Sequence, residues 1–475
     1  MLLLFCAISL FDPLEWIDYR DYRYIQSIDA DTRWIWVAST DGIIRYDKLR
    51  ENWEIPRSRT TFPDDIRVIG VDGFSDYIWF VTTSRLARYN AIIRDIDEYT
   101  LPIQGIPSHI AFTKDAVLID MKNRYFKFDR ETQEIREIPS DIDVDWKPKN
   151  QPQDFTQLSP YFVQDKHLRV YYMTCVVPDE RFLWVGTGGM GLYRFDIYTY
   201  NGENLCFGVP DGRIRAIRRD GGKIWIGGDN DAITLWEREK NRWNYFDASE
   251  HGLYSTRVRA IATDSSSVWF ATPEGLVGLH HGEFRTLTVS DGLPSDNVTD
   301  VEANNNEVWV GTDWGLARVI NGVVIDEKEI SEVKINDIEI VGDSVLIATP
   351  YGVYVRYKGK YTPFSDSSGI LASGVSVLCG DEFFATKMGV VMSDGHRLTY
   401  PADLPDPNVY AIEVSQHKVW FGTARGAVRF DRTFSMRDVF DGENSPIKGT
   451  VYTISICGDS VLFGTDSGLI EYVGP

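Results

Sequence analysis

Thirteen side chains stand at one recurrent position, the turn after an aromatic- or Leu-led strand: Asp41, Arg85, Arg124, Met190, Asp229, Asp231, Glu274, Asp313, Trp314, Tyr351, Lys387, Arg425 and Asp466. Charges of both signs with two aromatics on one rim suit a polar ligand with apolar faces, such as a sugar, or a loop of another protein. Turn residues are polar by default, yet a solvated turn has no need of Trp at position 314. The ligand-binding expectation rests on Asp41, Arg85, Arg124, Asp229, Glu274, Asp313, Trp314, Tyr351, Lys387, Arg425 and Asp466. The carboxylates, Glu274 and Asp313 above all, are also the residue type that acid–base cleavage uses, although such a pair is defined by its separation.

Other chemistry is poorly supported. The seven histidines (His109, His167, His251, His280, His281, His396, His417) form no HExxH and no i, i+4 pair. Five cysteines (Cys6, Cys175, Cys206, Cys379, Cys457) are an odd number without a CxxC pair, which signals neither a disulfide framework nor zinc. Asp141, Asp143 and Asp145 would point one way on an extended chain, but the Gly and terminal Glu of a calcium loop are missing. There is no GxSxG, phosphate-binding loop or dinucleotide fingerprint. No cofactor, no metal and no enzymatic activity are expected.

Those turns belong to a unit repeated from end to end. A β-branched or aromatic strand, a small residue and a turn ending in Gly recur eleven times, beginning near Trp36, Trp79, Leu118, Trp184, Trp225, Trp269, Trp309, Leu346, Phe383, Trp420 and Leu462. Most neighbours lie about 40 residues apart, the spacing of four-stranded blades that bury their faces only against one another, as in a β-propeller. The Trp-Val-Gly strand is apolar at consecutive positions, as a strand covered on both faces is, and its Gly is expected to make room for the neighbouring blade's Trp. The Gly closing the turn can take a positive φ without a Cβ clash. Arg85 and Arg124 replace that Gly, and Asp120 interrupts the third inner strand, so the second and third units are expected to have remodelled loops.

Glu15-Trp16-Ile17-Asp18-Tyr19 matches the outer strand Arg242-Trp243-Asn244-Tyr245-Phe246, while the chain after Gly468 supplies only three strands for the last unit. An N-terminal strand completing the last blade removes the exposed edges that invite aggregation. Residues 141–168, without clear periodicity, read as an irregular insertion or a crossover between blades 1–3 (11–140) and blades 4–11 (169–475). Eleven blades exceed the four to eight usual in one ring, so two rings are expected, the second nested in the first; one large ring with a long loop is the alternative.

A formal charge of −21 argues against nucleic acid or an anionic membrane as a partner. No stretch approaches the length of a transmembrane helix. Residues 1–10, MLLLFCAISL, read as the end of an export signal, with a buried N-terminal strand as the alternative. A periplasmic or secreted protein is expected.

Asp291-Gly292-Leu293-Pro294-Ser295-Asp296-Asn297-Val298, with Trp309-Val310-Gly311-Thr312 and Gly315-Leu316, resembles the two-component regulator propeller repeat. His251-Gly252-Leu253 before Trp269, and Leu183-Trp184-Val185-Gly186-Thr187 to Gly191-Leu192-Tyr193, are further copies, and the similarity runs from about Trp16 to the end. The resemblance implies a bacterial periplasmic ligand-binding domain of the sensor-kinase kind, many of which sense carbohydrate fragments, but the sequence ends after the last blade without a kinase. The expected function is therefore a non-enzymatic exported module binding a carbohydrate or protein at its loop face. The alternative is a lyase or glycoside hydrolase using channel-mouth carboxylates.

Overall fold

A computed structural model describes residues 12–122, 124–139, 144–147, 162–164, 168–229, 232–248, 252–304, 307–364, 372–378, 381–386 and 388–474, without side chains at 162, 372–378 and 381. Among them the chain forms eleven antiparallel sheets, ten of four strands and one of five. In chain order the sheets span residues 25–54, 66–100, 109–138, 162–205, 214–246, 260–287, 298–331, 337–363, 372–398, 409–440 and 451–472. The fold is all-β, and it is that of a β-propeller.

Each sheet repeats the same local logic. The second strand, for example Glu307–Thr312, has five consecutive buried residues. Its last residue, Thr312, is fully buried and closes the following turn: the hydroxyl donates to the Gly315 carbonyl at 2.8 Å and accepts from the Trp314 N–H at 3.1 Å. Thr272, Thr349, Thr386, Thr423 and Thr465 donate in the same way to the glycine three residues on. Those glycines hold a positive φ, 146° at Gly315 and 102° at Gly426, a region that a side chain disfavours. Arg85 has no such φ, while in the third sheet Lys122 (φ 53°) takes the left-handed position ahead of Arg124. Asp120 ends its strand and meets His109 Nδ1 at 2.9 Å.

The small residue of the second strand has a different purpose from the expected one. A Cβ on Gly311 would lie 2.7 Å from Ile335, one on Gly422 2.8 Å from Val451, and one on Gly464 2.8 Å from Ile214. The room is taken by a branched residue at the start of the next sheet's first strand, or just before it at Ile335, and not by a Trp.

These contacts trace the neighbours. From the fifth sheet to the eleventh, each first strand packs on the next, and that of the eleventh, Val451–Cys457, packs back on that of the fifth, Ile214–Asp220. The first strands of this seven-sheet circuit therefore line its axis. The first three sheets also follow one another, and the fourth packs back on the first, with Ile25 against Gly186 as Ile214 is against Gly464.

Trp16–Tyr19 is the outer strand of the eleventh sheet, paired antiparallel with Gly468–Tyr472 from Trp16 opposite Tyr472 to Tyr19 opposite Leu469. Trp16 packs 4.7 Å from Tyr472 and 5.6 Å from Phe440 between ring centroids. The passages between the two series are residues 20–24 and 206–213. The described parts of the 141–168 segment lie within the four-sheet series: Lys147 bridges to Ile110, and Phe162–Gln164 adds a fifth strand beside Val170–Tyr172. One aromatic core joins the series, with Tyr19, Trp53, Phe207 and Trp243 in ring contact and Trp243 stacked on Trp236 at 4.7 Å. Residues 1–11, with the expected export segment, lie outside the described residues.

Candidate functional site

The turn residues fall on two series rather than one rim. Asp41, Arg85 and Arg124 belong to the first three sheets, whereas Asp229, Glu274, Asp313, Trp314, Tyr351, Arg425 and Asp466 occupy equivalent turns of the seven-sheet circuit. Lys387 and Asp231 lie outside the described residues, and Met190 is buried.

Most of the charged candidates are held by near neighbours. Arg124 makes a two-pronged bond to Glu137 at 2.7 and 2.8 Å, and Arg85 bonds Glu98 at 2.5 Å. Asp41 accepts from the Thr40 hydroxyl at 2.9 Å, and Asp466 from the Thr450 N–H at 3.2 Å. Asp229 accepts from Arg213 at 3.0 Å and Arg215 at 3.1 Å; burial works to raise its pKa, but these bonds hold it below the carboxylate range. Asp313 accepts from Asn297 at 2.7 Å and is likewise depressed, with burial opposing the pull of Ser295 and Asn297. A carboxylate held ionised in this way is a poor proton donor. Glu274 is exposed, and Arg425 is 3.8 Å from Asp406.

The apolar candidates differ. Trp314, Tyr351 and Met388 are 57%, 76% and 82% exposed at the same position of three consecutive sheets. Their backbone N–H groups bond the closing Thr, so the turn uses none of the three side chains. Met388 was missed by the sequence reading, although it follows the singled-out Lys387 in the same turn.

A second cluster lies on the axis of the circuit, on first strands. Arg218 of the fifth sheet bonds Glu302 of the seventh at 2.8 and 3.3 Å, and Glu413 of the tenth accepts from the Ile456 N–H at 3.3 Å. Burial pushes Glu339 up to about 8, with Glu302, Asp300 and Glu413 adding to the rise and Arg218 opposing it. Burial also lifts Glu413 to about 7 and, helped by Glu302, raises Asp300. The carboxylates with raised values are thus on the axis, whereas Asp313 on the rim is shifted the opposite way. Acidic residues in otherwise apolar strands, as in Val298–Asn304, were the available signal.

A third feature is a cleft of about 990 Å³ where the two series meet. Its walls are the outer strands Gly202–Leu205 of the fourth sheet and Arg242–Phe246 of the fifth, and its floor includes the buried Trp53 and Trp243. Arg169 and Asp247 bond across it at 2.9 Å. None of the expected ligand-binding residues lines it. Among the described residues no group of three or more His, Cys, Asp or Glu is arranged to hold a metal ion.

No family model matches the sequence, and no curated protein matches it. Among solved structures, the chain is similar to PorZ, a bacterial surface component of the type-IX secretion system of Porphyromonas gingivalis, at 11% identity and TM-score 0.56, covering 96% of this chain and 87% of that one. It is also similar to the extracellular domains of BT3049 and BT4673 of B. thetaiotaomicron, assigned as hybrid two component systems. For BT3049 the identity is 15% and the TM-score 0.48, covering 95% of this chain and 81% of that one. For BT4673 they are 15% and 0.46, covering 98% and 80%. At such identities a likeness speaks for the fold alone, and in this it agrees with the sheets themselves: the chain is a β-propeller protein.

Proposed function

We propose that this chain is a non-enzymatic, exported recognition module whose loop rim on the seven-sheet circuit takes a carbohydrate or protein ligand. One observation carries the reading: Trp314, Tyr351 and Met388 stand exposed on three successive turns whose geometry is closed without them. Aromatic and Met side chains spaced around one face are typical of the centre of a binding surface, and Asp313 beside Trp314 supplies a fixed acceptor. Export is supported by the composition of residues 1–10, and a sensing role by the resemblance of the repeats to sensor propellers.

The test is a double variant, Trp314→Ala with Tyr351→Ala, probed against an oligosaccharide array and purified cell-envelope proteins. Since neither side chain supports the fold, the melting temperature should change little, within about 0.5 kcal/mol of stability. Binding should fall at least tenfold. A ligand of the wild type that binds the double variant equally well would overturn the rim as the site.

The enzymatic alternative has one observation in its favour, the raised carboxylates Asp300, Glu339 and Glu413 on the axis. Cleavage of a polysaccharide by the wild type that is lost in Glu339→Gln would establish it.

A further inference from the structure

We propose that the cleft between the fourth and fifth sheets is a second binding site, and that its ligand is an extended polypeptide segment that adds as a strand to one of the walls. Both walls are last strands of their sheets. Among the described residues, Gly202–Leu205 pairs only with Leu192–Phe195, and Arg242–Phe246 only with Ile233–Glu237. Each therefore turns a row of backbone N–H and C=O groups away from its own sheet. Such edges template another chain, and proteins normally blunt them. Here the two edges border one concave space, where one segment can enter but two whole molecules cannot pair edge to edge.

The side chains agree with a ligand that offers hydrogen bonds at the strand period. The Tyr193 hydroxyl and the amides of Asn204 and Asn244 line the cleft and have no hydrogen-bond partner among the described residues. Gly202 leaves its space to the Tyr193 ring; a Cβ there would fall 2.0 Å from the phenol Cζ. The charges are mixed, since Lys240 and Arg242 line the cleft together with Glu51 and Glu203, so the site does not demand a charged ligand. The volume, about 990 Å³, is at the upper end of ligand sites and holds an extended segment about as long as the five-residue wall Arg242–Phe246. Backbone pairing would supply affinity, and side chains on alternate residues would supply selectivity.

A library of displayed heptapeptides selected against the intact protein tests the proposal, with the enriched peptides then made synthetically. They should bind the wild type and Trp314→Ala equally, and at least tenfold more weakly to Asn204→Trp and Asn244→Trp, which fill the cleft from either wall. N-methylation at alternate peptide residues, which removes backbone donors and keeps the side chains, should cost a further tenfold or more. Failure to enrich any peptide, peptides indifferent to both Trp variants, or peptides indifferent to N-methylation would each overturn the proposal. So would an oligosaccharide that binds wild type but neither Trp variant. The rim reading is untouched by these outcomes, because its residues lie outside the cleft.

Discussion

The loop rim and the cleft are both concentrations of polar and aromatic side chains, but they are built in opposite ways. Each rim turn is made by a single repeat, and six of the seven in the circuit consist of a buried Thr, a positive-φ Gly and whatever lies between them. The cleft is made by no repeat. Its walls come from outer strands of different series, and its floor from Trp53 and Trp243, 190 positions apart in the sequence. A repeat displays what each unit does for itself, whereas a site assembled between units appears only once the chain has closed on itself.

Removing the floor should separate the two regions most sharply. Trp243 is buried against Trp236, Tyr19 and Phe207, so Trp243→Ala should cost about 3–5 kcal/mol. Urea denaturation should show that loss together with loss of any cleft ligand. A rim ligand still bound below the transition would show the regions to be independent.

A smaller effect is expected within the rim. Thr312→Val removes a hydroxyl that serves two backbone groups, leaving buried polar atoms unsatisfied at a cost of about 1–3 kcal/mol. Binding through Trp314 should weaken in step, while a peptide in the cleft should bind as before. If it does not, the rim and the cleft are mechanically coupled.

The smallest effect concerns the axis, where Glu339 stands at the same first-strand position as Glu302 and Glu413. Its pKa is raised from 4.5 to about 8, so the folded protein keeps a proton that the unfolded chain releases. Stability should therefore fall as pH rises through that window. Glu339→Gln should match the wild type at pH 4 and exceed it at pH 9 by about 1–2 kcal/mol, less than the full shift because water reaches the side chain. Equal melting temperatures at pH 9 would show that the cluster relaxes instead.

Particular residues show how far the sequence was legible. The strand starts from Trp36 to Leu462, the turn glycines and the N-terminal strand at Trp16–Tyr19 all follow from local rules of burial and backbone freedom, and the sheets agree with them. The purpose of Gly311 did not follow, because Ile335 reaches it from the next sheet. Asp229 and Arg124 look like free rim charges in the sequence, but Arg213 and Glu137 hold them in the fold. Tyr193, Asn204 and Asn244 carried no signal, since nothing in a linear pattern says which outer strands will meet.

The clasp between Trp16–Tyr19 and Gly468–Tyr472 imposes an order on biosynthesis. The Tyr19 hydroxyl bonds Glu471 at 2.9 Å, so this strand must wait for one made 452 residues later. The four sheets of residues 25–205 form an uninterrupted stretch and can assemble while the rest is being translated. The seven-sheet circuit cannot, and until its clasp forms the nascent protein carries an open strand edge of its own, the moment at which a chaperone would protect it most.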